Sequence, residues 1–222
     1  MSRNTSPVKS ARDPYDALRP WSAITHGTGI VLAVLGTLLL LLRTNTPLQF
    51  AAFGIYGASM TLLYTASTLY HCLRTGLDGR RMLRKFDHCS ICLLIAGSYT
   101  PICLTSLATG CGHALLTTVW LFALLGILLS IVWINAPRWL SSAVYLCMGW
   151  LVVFVIVPVA RALSAQGLIW LVLGGVMYSV GGVLYAVKWP GRNNPRFGCH
   201  EIFHVFILLG TLCQYVTIYG LI

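Results

Sequence analysis

Acidic residues are scarce in this chain: five among 222, against fifteen lysines and arginines. Charged residues of either sign make up 9%, where a soluble domain carries about 25%. With 57% hydrophobic residues and a mean hydropathy of +0.79, that shortage excludes an ordinary water-soluble domain. The first 20 residues lack an apolar segment followed by a small-residue cleavage site, so no cleaved signal peptide is expected. Internal repeats, low-complexity tracts, nucleotide-binding glycine loops and haem attachment motifs are also missing. Lysine occurs only at 9, 85 and 188, which excludes a retinal protein with a Schiff-base lysine midway along its last helix.

Long apolar runs are what the sequence has instead. A span needs about 20 residues, and seven stretches qualify, at about 22–43, 48–72, 84–108, 112–134, 138–160, 166–188 and 199–220. The expected fold is an all-α membrane protein, a seven-transmembrane helix bundle over residues 21–222, behind a basic tail at 1–20 that is disordered or lies on the membrane surface. Thirteen cations fall before the first run or between runs two and three, four and five, or six and seven; only Arg43 and Arg161 fall on the other side. That bias places the N-terminus in the cytosol and the C-terminus outside, in the cell membrane. A G-protein-coupled receptor has the opposite orientation. The net charge of +10 reflects this sorting and attraction to anionic lipid heads; with no recognition module present, nucleic acid is not an expected partner. Eight cysteines fall mostly inside the runs, where cysteine acts as a small apolar residue. The CxxC at Cys89 and Cys92 sits on an apolar helix without a redox fold around it.

Few polar groups enter the hydrophobic runs, and they collect at one end. Only Asp87 and Glu201 among the acids touch the spans, and an ionisable group there usually marks a functional site. His71 closes the second run; Asp87, His200 and His204 open the third and seventh, within their first two turns. His200 and His204, four apart, share one helix face. Four groups from three helices thus lie at one depth, near the cytosolic surface, as an open zinc site requires. Asp87 has a simpler reading as an interfacial carboxylate paired with Arg84 or Lys85. HEIFH at 200–204 satisfies the zincin HExxH pattern, in which the glutamate is a general base. No ligand other than Cys213 follows it, so the third must come from earlier, and His71 is at the right level. For Glu201 the favoured role is a negative charge on the helix dipole. Ser67, one turn deeper than His71, either supports the metal site or bonds its own i−4 carbonyl. His26 and His88 are nearby, although adjacent residues point about 100° apart, so Asp87 and His88 are not expected to face the metal together. Pro101 is expected to kink the third helix or free a carbonyl, with Ser98 or Thr100 available to satisfy it. Gly174, Gly175, Gly181 and Gly182 are expected to allow close helix contact.

Thr25-His26-Gly27, the Ser67–His71 stretch STLYH, Phe86-Asp87-His88 with AGSYTP at 96–101, and HEIFH at 200–204 occur in one order along nearly the whole chain. This set resembles the hemolysin III branch of the progestin and AdipoQ receptor family, which is similar in turn to alkaline ceramidases. The resemblance implies seven helices with a cytosolic N-terminus and zinc (Zn2+) held by His71, His200 and His204. It further implies that Asp87 acts through or beside the metal's water, with Ser67 in support. Family members often carry an acid and Asn before the first Thr-His, where this chain reads RPWSAITH from Arg19. The expected function is a zinc-dependent hydrolase of a lipid amide, ceramide-like, entering sideways from the bilayer. The alternative is a non-enzymatic cytolytic or lipid-sensing membrane protein with a structural zinc.

Overall fold

The computed structural model describes residues 18–107, 110–191, 194 and 197–222. The expected tail at 1–20, except its last three residues, lies outside the described residues, as do Arg192 and Arg196. All regular structure among them is helical. The elements are α1 (Pro20–Leu41), α2 (Pro47–Cys72), α3 (Leu77–Pro101), α4 (Gly110–Val132), α5 (Arg138–Gly149), α6 (Ile156–Ala162), α7 (Ala165–Val187) and α8 (Cys199–Tyr219). A π-helical turn, Ile102–Ser106, extends α3, and a 3₁₀ segment, Trp150–Val155, joins α5 to α6. Helix starts follow local chemistry. Pro20 and Pro47 stand in first turns where no N–H is needed, and the Thr46 and Ser164 hydroxyls accept the Gln49 and Gly167 amides.

Among the described residues, six helices are long and apolar enough to cross a membrane, the Leu77–Ser106 and Arg138–Ala162 rods each counting as one. α2 is long enough, but its polar side chains keep it from being as apolar. Tyr56, Ser59, Tyr64, Ser67 and His71 are all buried, with α2 packed between α1 and α3. Helices α1, α2, α3, α5, α7 and α8 close a ring, and α4 packs outside against α3. The outward leucines of α4 (Leu121, Leu124, Leu125 and Leu128) stay exposed.

Two elements depart from the sequence reading. α3 begins at Leu77, not near 84, because the run bearing Arg80, Arg81, Arg84 and Lys85 is already helical. Asp87 therefore sits in the third turn of α3, not its first two. Pro101 ends the α-helical pattern instead of kinking it in mid-span. Ser98 and Thr100 donate to the Ile95 and Ala96 carbonyls, and Thr105 donates to that of Pro101. The fifth rod was expected to be continuous but breaks at Trp150–Val155. Tyr99 supports the break: its hydroxyl donates towards the Met148 and Gly149 carbonyls at 3.1 and 2.6 Å and accepts the Val152 amide at 3.1 Å. Irregular backbone inside a membrane protein needs such partners.

Of the α7 glycines at 174, 175, 181 and 182, three act as spacers. A Cβ at Gly174, Gly181 or Gly182 would meet α8 or α5 side chains, whereas Gly175 faces open space. Among the described residues, no disulfide joins any of the eight cysteines. Within the CxxC, Cys92 packs its sulfur on Gly126 and Cys89 donates weakly to the Ile127 carbonyl, a packing seam against α4.

Candidate metal centre

The end of α2 and the start of α8 meet at one end of the ring and bring three imidazoles together. One ring nitrogen each from His71, His200 and His204 lie within 4.8 Å of one another. His71 and His204 are buried, and His200 is partly buried. Helical spacing explains the pair on α8: residues four apart stack on one face, and their ring centroids are 4.6 Å apart. The His71 and His200 Nε2 atoms are 3.0 Å apart. Tetrahedral zinc at about 2.0–2.1 Å from each nitrogen holds ligand atoms about 3.3–3.4 Å apart. The three rings need adjustments of an ångström or so to reach that geometry. Three neutral imidazoles are a donor set that fits zinc and leaves a fourth position open.

A cavity of about 190 Å³ begins here, room for roughly a dozen waters at about 15 Å³ each on that measure. Its head is lined by His26, Ser67, Asp87, His88, His200 and His204. Trp150, Val153, Ile156 and Val172 line it further along and are exposed on the bundle's outer face. The cavity therefore reaches the apolar surface between α7 and the broken fifth rod.

Asp87 faces this cavity without joining the ligand triad. Its Oδ2 lies 3.2 Å from His88 Nδ1, so the neighbouring ring turns back onto the carboxylate, and both side chains line the cavity. The side chain beside Asp87 is thus this histidine, a neighbour that the sequence reading of a pairing with Arg84 or Lys85 did not include. Ser67 is 1% exposed and its Oγ has no hydrogen-bond partner among the described residues. The local i−4 bond expected of a membrane-helix serine is not made.

Glu201 is turned away from the metal ligands. Its Oε2 accepts the Gly198 amide at 2.8 Å, capping α8, and its Oε1 accepts from Arg19 and Ser22 at 3.0 Å each. Glu201 thus sits at the helix start as a carboxylate expected on the helix dipole, and caps it as well, while the zincin base role has no geometry behind it. Arg19 also donates its backbone N–H to the His71 carbonyl at 3.2 Å. One residue before α1 thus ties together the two helix ends that carry the histidines. Sequence reasoning missed Arg19 and Ser22, although they fall where the family's acid and Asn are replaced. His26 stacks on His204 with centroids 3.7 Å apart and planes 9° apart, and its other flank meets the Tyr64 edge. Thr25 bonds the Trp21 and Ser22 carbonyls instead of the site.

A family model described as Haemolysin-III related matches residues 19–215. The chain is 37% identical over 197 residues to the hemolysin-3 homolog of Bacillus subtilis, spanning 87% of this chain and 89% of the relative. It is 34% identical over 197 residues to hemolysin-3 of Bacillus cereus, covering 87% of each. A more distant relative is the adiponectin receptor protein of Drosophila melanogaster, 28% identical over 197 residues that make up 42% of its length. The sequence resemblance thus holds, and this chain is a multi-pass membrane protein of the haemolysin III family, itself related to adiponectin receptors.

Proposed function

We propose that the chain is a seven-span, zinc-dependent hydrolase of lipid amides, with its N-terminus in the cytosol and its metal site near the cytosolic face of the cell membrane. The observation that carries this reading is the triad of His71, His200 and His204 at the head of a cavity that also holds Asp87 and Ser67. Arg19, Arg84 and Arg138 belong to that same end, which supports the orientation. α2 completes the count of seven by crossing as a buried, polar-faced helix.

Zinc on the three imidazoles would bring a water's pKa near neutrality and polarise an amide carbonyl. Asp87 accepts the proton of the attacking water and passes it to the departing nitrogen, so that amide and water become acid and amine. Ser67, unpartnered and buried, donates a hydrogen bond to the carbonyl or accepts one from the water. The acyl chain lies in the apolar cavity, entering from the bilayer between α7 and the fifth rod. Fatty-acid release from long-chain acyl amides by purified protein, set beside His204→Ala, tests this. Equal release by both proteins, or none from a zinc-loaded preparation, sinks the enzymatic reading. Dye leakage from liposomes that persists in the histidine variant would point instead to the non-enzymatic lytic alternative.

A further inference from the structure

We infer that the cavity carries a second polar subsite, deep in the bundle, where Gln214 recognises a hydroxyl on the distal part of the bound lipid's acyl chain. The inference rests on the lipid reading of the cavity head. Gln214 lies on α8, is 8% exposed, and lines the same cavity as His204. No hydrogen bond joins its side-chain amide to another described residue, and unlike the Ser67 hydroxyl it is not among the fully enclosed polar groups, so it faces the cavity. The fold makes space for it: a Cβ at Gly174 would lie 3.0 Å from its Nε2, and nothing stands within 4 Å of one at Gly175. Beside it, Tyr178 and Thr211 share a hydrogen bond of 3.0 Å, with the Tyr178 ring also on the cavity wall.

Other polar groups along the cavity's middle are already occupied. Ser98 and Ser179 donate to the Ile95 and Gly175 carbonyls, and Tyr99 serves the fifth-rod break. Gln214 is the exception: its amide opens on the cavity, where a ligand hydroxyl can supply the hydrogen bonds that the protein does not. Depth defines the ligand. Ten residues separate His204 from Gln214, about 15 Å along the helix, or half of a hydrocarbon core roughly 30 Å thick. A lipid with its amide at the histidines therefore reaches Gln214 with the far half of its chain. A plain methylene chain offers the amide nothing. A hydroxyl both donates to Oε1 and accepts from Nε2. A carboxylate is excluded, because the cations lining the cavity, Arg84 and Arg138, are at its head.

The test is equilibrium binding of two long-chain acyl amides to purified full-length protein, by displacement of a fluorescent acyl amide. One is unsubstituted and the other hydroxylated in the distal half of the chain. The wild type should favour the hydroxylated lipid roughly tenfold, the worth of one buried hydrogen bond. That ratio should fall to about one in Gln214→Leu and part of the way in Tyr178→Phe, with circular dichroism confirming that both are folded. Equal affinities in the wild type, or a ratio that survives Gln214→Leu, overturn the proposal and leave the amide to water alone. Because binding is read without turnover, a preserved ratio in protein that hydrolyses neither lipid sinks the hydrolase and spares the subsite. Hydrolysis of both lipids with no preference does the reverse. If neither lipid binds, both proposals fall.

Discussion

Replacing Glu201 with Gln separates two roles that the HExxH pattern superimposes. A general base changed to an amide loses turnover while fold and metal remain. Here both carboxylate oxygens are committed, to Gly198 on one side and to Arg19 and Ser22 on the other. A glutamine keeps one acceptor and turns an NH₂ towards partners that also donate, so one side of the clamp opens. The charge-assisted bond to Arg19 is worth about 1.5–3 kcal/mol. Arg19 is 24% exposed and reaches water when released, which favours the lower half of that range. The Ser22 hydroxyl is fully buried and adds roughly 1–2 kcal/mol if left unpaired. The expected loss is about 2–4 kcal/mol of stability, measured by unfolding in detergent. Because the clamp holds the ends of α2 and α8, zinc affinity should fall about 10–100-fold, as for other groups that orient metal ligands, read by chelator competition. Turnover per zinc-loaded molecule should stay within about tenfold of the wild type, one decade being about 1.4 kcal/mol of barrier. A drop of about three decades or more, with stability and metal affinity unchanged, would make Glu201 the base and refute the clamp.

Removing either of two ligands, as His71→Ala or His204→Ala, should take zinc in the purified protein from about one equivalent to near none by elemental analysis. His113→Ala, at the start of α4, should keep its metal. Asp87→Asn should retain zinc and lose about 10²–10⁴ in turnover; unchanged turnover would remove Asp87 from the chemistry. Tyr99→Phe strips the hydroxyl from three backbone partners and should cost about 1–3 kcal/mol, with faster hydrogen exchange at Val152. Ser98→Ala, whose hydroxyl serves only a carbonyl within its own helix, should be nearly neutral. Chelation should lower the unfolding temperature and added zinc restore it, since a ligand of the folded state alone stabilises that state.

The rods and the histidine triad were legible because they obey simple periodicities. Apolar runs of span length give helices, and a four-residue interval puts His200 above His204. The start of α3 was misplaced because hydropathy marks where a helix becomes apolar, and the helix itself began with arginines. The break at Trp150–Val155 was hidden for the opposite reason: WLVVFV is as apolar as any helix interior, and only Tyr99, some fifty residues earlier, reveals its broken hydrogen bonds. Arg19 and Ser22 escaped notice because their partner lies about 180 positions away. A local reading sees there only a basic residue before a proline. The stacking of His26 on His204 was beyond reach in detail, since ring planes depend on how α1 leans against α8.

The unusual polarity of α2 bears on how the molecule is made. A segment carrying buried Tyr56, Ser59, Tyr64, Ser67 and His71 is a reluctant client for an insertion machinery that weighs each stretch by its transfer cost. Its strongly greasy predecessor, α1, is joined to it by only residues 42–46. On the proposed seven-span reading, the two enter lipid as a hairpin, with α3 following to cover the remaining side. Translation stalled just past Cys72 would strand this element at the membrane border, exposed to quality-control proteases until its neighbour arrives.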